Sequence, residues 1–117
     1  MKALLVLVHG TPRPTANAEM LRVVDDVRAR GVFGLVEAAY MECNAPSIPE
    51  AIDDAVARGA TEIVAVPYFL HTGTHVCDDL PTLHEKGMAR HPSVNFRLGD
   101  YLGLSPVLTT ILQERAA

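Results

Sequence analysis

The sequence predicts an α/β domain in which a doubly wound, four-stranded parallel sheet is flanked by helices. Apolar runs suited to strands buried on both faces recur at residues 3–8, 35–41, 63–70 and 94–98. Segments with helical periodicity separate them, and that alternation is the signature of a parallel α/β sheet. At 117 residues, 49% hydrophobic and 21% charged, the chain matches one globular core, so a single domain over residues 1–117 is expected.

The elements follow in order. The first run, Ala3-Leu4-Leu5-Val6-Leu7-Val8, superficially resembles a short signal peptide, but it stops at His9-Gly10 without a small-x-small cleavage site. It reads as a buried strand. The first helix starts after Thr15, turns Met20, Leu21, Val24 and Val27 inward and ends at Gly31. Ser47 and Glu50 make a capping-box pattern for the second, with Ile48, Ala51, Ile52, Ala55 and Val56 at three- and four-residue spacing and Gly59 as its stop. Asp78-Asp79 place negative charge at the start of a third, and Ser105-Pro106 open a fourth.

Composition excludes several function classes. A net charge of −4 argues against wholesale nucleic-acid binding, which needs a basic face to neutralise phosphates. No apolar stretch approaches the roughly 20 residues that span a bilayer, so a soluble, cytoplasmic protein is expected. Cys43 and Cys77 are too few for a disulfide framework and read as free thiols. Neither a Walker loop nor a dinucleotide glycine fingerprint occurs, so no nucleotide is expected.

In an open parallel sheet, ligands bind beyond the carboxyl ends of the strands. There the sequence puts His9, Glu42 and His75 at three successive strand ends, each 33 residues after the one before. Two imidazoles and a carboxylate can hold a first-row divalent ion with positions left open, and a histidine can take a proton near neutral pH. The bland alternative is a set of hydrogen-bonded strand-end residues. His71 serves equally well as a contact in the crevice or as a structural residue. Arg13, in the proline-stiffened loop Thr11-Pro12-Arg13-Pro14, offers a fork of donors to a carboxylate. His84 and His91 read as surface residues without a role, and Cys43 and Cys77 as small hydrophobes rather than ligands.

Several blocks together resemble the short sirohydrochlorin chelatases of the CbiX and SirB type, over nearly the whole chain. They are Val8-His9-Gly10-Thr11, the run from Tyr40-Met41-Glu42-Cys43-Asn44-Ala45-Pro46 to Ala51, Ile63 to Leu70, Gly73-Thr74-His75-Val76 and Asp79-Leu80-Pro81. The resemblance implies a chelatase fold acting as a homodimer, and insertion of Co²⁺ or Fe²⁺, with Ni²⁺ possible, into sirohydrochlorin on the way to cobalamin or siroheme. By the same resemblance, His9 is metal ligand and proton acceptor, His75 the second ligand, and Glu42 a third ligand or a nearby acid. Arg13, Ala45 and the loop Leu70, His71, Thr72, Gly73, Thr74 and His75 line the macrocycle.

The chain departs from the family pattern at Val8, where many relatives have Gly, at Ala45, where many are acidic, and at Thr74, where a basic or large residue is common. These changes spare the ligands and bear on the substrate side. Two other readings use the same residues. One is a non-enzymatic metal or tetrapyrrole carrier. The other, a histidine phosphatase suggested by Leu7-Val8-His9-Gly10, lacks an arginine ahead of His9 to clamp a phosphate.

Overall fold

The computed structural model describes residues 1–117 apart from 72, 74–77 and 104. Strands and helices alternate as β1 (Lys2–Val8), α1 (Pro14–Ala29), β2 (Leu35–Tyr40), α2 (Ile48–Ala57), β3 (Glu62–Pro67), α3 (Leu80–Met88), β4 (Asn95–Leu98) and α4 (Pro106–Ala116). All pairings are parallel, and the sheet order is β2-β1-β3-β4. This is the predicted architecture.

β1 is central and pairs on both edges, Ala3 with Leu35 on one side and with Ile63 on the other. Its alternate residues feed two cores. Ala3, Leu5 and Leu7 face Ala51, Ile52, Ala55 and Leu80 of α2 and α3, while Leu4, Val6 and Val8 face Met20 and Val24 of α1. An unbroken apolar run is what a strand covered on both faces requires. β4 differs from that expectation. Asn95 and Arg97 are exposed because the strand lies at the sheet's edge.

Other boundaries also shift. α1 begins at Pro14, whose fixed φ suits a first turn, and Thr15 does not cap it. Leu21 proves exposed, since only Met20 and Val24 of that helix lie against the sheet in full. α2 carries its capping box, the Ser47 hydroxyl accepting from the Glu50 amide and the Glu50 carboxylate from the Ser47 amide. α3 starts at Leu80; Asp79 precedes it in helical conformation and its side chain does not cap it.

Two histidines expected at the surface are not simply there. His84 is buried edge-on against Phe96, and its Nε2 has no hydrogen-bond partner among the described residues. It sits on the face of α3 that packs on the sheet, so helix phase overrides its polarity. His91 is half-buried and meets Asp53 through Nε2 and Oδ1 at 2.7 Å, alongside an Arg90–Asp53 ion pair. Asp53, held chiefly by the His91 hydrogen bond, has its pKa pushed below the usual carboxylate value. Among the described residues, no helix is long and apolar enough to cross a membrane.

Candidate functional site

The carboxyl rim of β1 and β2 is built by backbone bonds that carry the ladder past the strands. The Met41 amide donates to the Val8 carbonyl at 2.9 Å and the Glu42 amide to the His9 carbonyl at 3.1 Å. His9 and Glu42 therefore leave the sheet side by side, and His9 Nε2 stands 2.7 Å from Glu42 Oε1. Both side chains are partly open to solvent, at 43% and 59%. A ligand can reach them directly.

Three local features hold this pair. Gly10 adopts φ +92°, and a Cβ there would lie 1.9 Å from the Glu42 carbonyl oxygen, so only glycine lets the two loops close. Cys43, at φ +67°, turns the chain back after Glu42. Its side chain is exposed. Asn44 then locks the loops together: its Oδ1 accepts from the Thr11 amide at 2.9 Å, while the Asn17 side-chain amide donates to the Thr11 carbonyl at 3.2 Å. Sequence reasoning gave Asn44 no role. The signal was available, because Thr11 to Asn44 repeats the 33-residue step of His9 to Glu42.

Beside the pair lies an open hollow of about 370 Å³, bordered by Thr11, Pro12, Asn17, Leu21, Tyr40 and Ala45. Ala45 thus faces the crevice region through a loop that includes a cis Ala45–Pro46 peptide. Arg13 is exposed at the start of α1, its amide bonded to the Thr11 hydroxyl at 3.2 Å. Leu70, His71 and Gly73 are exposed beyond β3. Thr72, Thr74 and His75 lie outside the described residues. Among the described residues, no three His, Cys, Asp or Glu side chains are grouped to hold a metal ion.

An imidazole and a carboxylate in contact can do two things. They form a hydrogen bond that orients the ring, and the same spacing suits two donors in adjacent positions about one first-row ion, where bonds of about 2.0–2.2 Å place them roughly 3 Å apart.

Fold and rim together define a class: doubly wound α/β proteins with an imidazole–carboxylate pair on the ligand-binding edge. The CbiX family model matches residues 3–117, and this chain belongs to the CbiX family.

The chain is 32% identical over 114 residues to the sirohydrochlorin cobaltochelatase of Priestia megaterium, covering 97% of this chain and 37% of that protein. It is 36% identical over 83 residues to the sirohydrochlorin cobaltochelatase of Methanocaldococcus jannaschii, covering 71% and 58% respectively. The chain thus spans a little over a third of the one relative and little more than half of the other. Among solved structures, it superposes on the sirohydrochlorin chelatase SirB from Bacillus subtilis subspecies spizizenii in complex with cobalt. The TM-score is 0.92 at 25% identity, over 98% of this chain and 49% of SirB.

Proposed function

We propose that this chain is one chelatase domain that inserts Co²⁺ or Fe²⁺ into sirohydrochlorin, without nucleotide or any cofactor beyond the metal it delivers. The observation that carries the reading is the His9–Glu42 pair, 2.7 Å apart and open to solvent on the rim where α/β sheets bind ligands. The relatives named as sirohydrochlorin cobaltochelatases support the substrate.

Insertion demands two abilities at one place, because two pyrrole protons leave as the metal enters the ring. His9, Glu42 and His75 hold the ion against one face of the macrocycle. As the ion passes into the ring its bond to His9 breaks, His9 accepts one pyrrole proton while the other leaves to water, and Glu42 steadies the resulting imidazolium. Arg13 and Ala45, with the loop Leu70, His71, Thr72, Gly73, Thr74 and His75, meet the macrocycle and its carboxylates. The protein works as a homodimer in the cytoplasm.

The test mixes purified protein anaerobically with sirohydrochlorin and Co²⁺ or Fe²⁺ and follows insertion by absorbance, beside a protein-free control and His9→Ala. Acceleration that His9→Ala loses is expected. Tight metal binding with an unaccelerated rate would instead identify a carrier.

A further inference from the structure

Of the side chains that border the 370 Å³ hollow beside the His9–Glu42 pair, Tyr40 is the buried one. It ends β2, is 6% exposed and packs with Met20 and Val24 of α1. The core holds its ring, yet its hydroxyl has no hydrogen-bond partner among the described residues. Burial raises its pKa above the ordinary 10.0, so the group stays protonated and remains a donor. A hydroxyl drawn out of bulk water without a partner carries a cost that an arriving acceptor removes.

The surroundings set the charge of that acceptor. α1 begins at the border of the hollow, and a helix leaves its first amides without partners of its own. The Arg13 amide donates to the Thr11 hydroxyl, and Pro14 has no N–H. No side chain caps the remaining amides of Thr15 and Ala16, and the first turn carries no acidic residue. The positive end of a 16-residue helix therefore stands uncompensated, with the Arg13 guanidinium on the same turn of chain. Across the hollow, Asn44 gives its Oδ1 to the Thr11 amide, which leaves its side-chain N–H groups as donors. No acidic side chain lines the space among the described residues, and the small Ala45 at the rim leaves the entrance clear.

We infer that this hollow seats one carboxylate arm of the macrocycle, which accepts from the Tyr40 hydroxyl and the Asn44 side-chain amide at the positive end of α1. The identity of the ligand rests on the chelatase reading. Tyr40 is then an orienting residue: with one arm fixed, the ring is held from turning over His9 and Glu42.

The experiment titrates metal-free protein with sirohydrochlorin by absorbance for wild type, Tyr40→Phe, Ala45→Gln and Ala45→Glu, with circular dichroism for the fold and Co²⁺ calorimetry for the metal pair. Gln and Glu have nearly the same size, so their comparison isolates charge. Loss of a hydrogen bond to a charged group is expected to weaken macrocycle binding roughly 10-fold in Tyr40→Phe. A negative charge at the rim is expected to make Ala45→Glu roughly 10-fold weaker than Ala45→Gln, with Co²⁺ affinity unchanged in every variant. Equal affinities for Ala45→Gln and Ala45→Glu, or wild-type affinity in Tyr40→Phe, would overturn the carboxylate seat while leaving the chelatase reading intact. A wild type that binds no sirohydrochlorin overturns both.

Discussion

Gly10 and Glu42 meet backbone to backbone, so closely that any side chain at Gly10 would strike the Glu42 carbonyl oxygen. Gly10→Ala must open the two loops or strain φ, and is expected to cost on the order of 2–4 kcal/mol. Urea unfolding measures it. A midpoint equal to wild type would show that the loops part without penalty.

Asn44→Ala leaves the half-buried Thr11 amide without its acceptor, a loss of about 1 kcal/mol. It should also weaken Co²⁺ binding in calorimetry by loosening the His9 and Glu42 loops. Asn44→Asp keeps the acceptor oxygen and should recover most of both. Equal behaviour of the two variants would mean that Asn44 does not position the pair.

Glu42→Gln keeps the shape of the side chain and removes its charge. Under the proposed ligand set, Co²⁺ affinity falls roughly 10- to 100-fold, with the unfolding midpoint little changed because the side chain is exposed. Unaltered affinity would remove Glu42 from the set.

His84 is buried, and desolvation pushes its pKa below the ordinary 6.5. The unfolded chain therefore takes up this proton first, so His84 favours folding above that value and stability is lost as the pH falls below it. Thermal melts from pH 8 to pH 5 should show the decline, and His84→Leu should flatten it. A parallel decline in both proteins would place the pH sensitivity elsewhere.

Ser47→Ala breaks the capping box of α2 and is expected to cost about 1 kcal/mol. Denaturant titration reads it directly. The Tyr40 amide bonds to the Pro46 carbonyl just ahead of this cap, so a larger loss would show that the Glu42 loop loosens along with the helix.

Much of this was legible without coordinates, for identifiable reasons. The strands announce themselves because burial on both faces forces unbroken apolar runs, and Ser47 to Glu50 is a local code. His9 and Glu42 could be paired because parallel strands in register turn a constant sequence step into adjacency. His84 is hidden from such a reading because helix phase overrides its polarity, and Leu21 because the apolar stripe on α1 is narrower than its run of apolar residues. The exposure of β4 is not legible locally because edge position depends on strand order, which local sequence does not encode. Asn44 escaped because its partner is a backbone amide rather than a side chain.

The central place of β1 also dictates a schedule. Ala3 must wait for Leu35 on one flank and Ile63 on the other. A ribosome adding about 5–20 residues per second leaves the emerging Leu4–Val8 stretch without either neighbour for seconds. The strand at the centre of the sheet is thus sheltered only by partners made after it, and it is covered on both edges only once β3 has emerged.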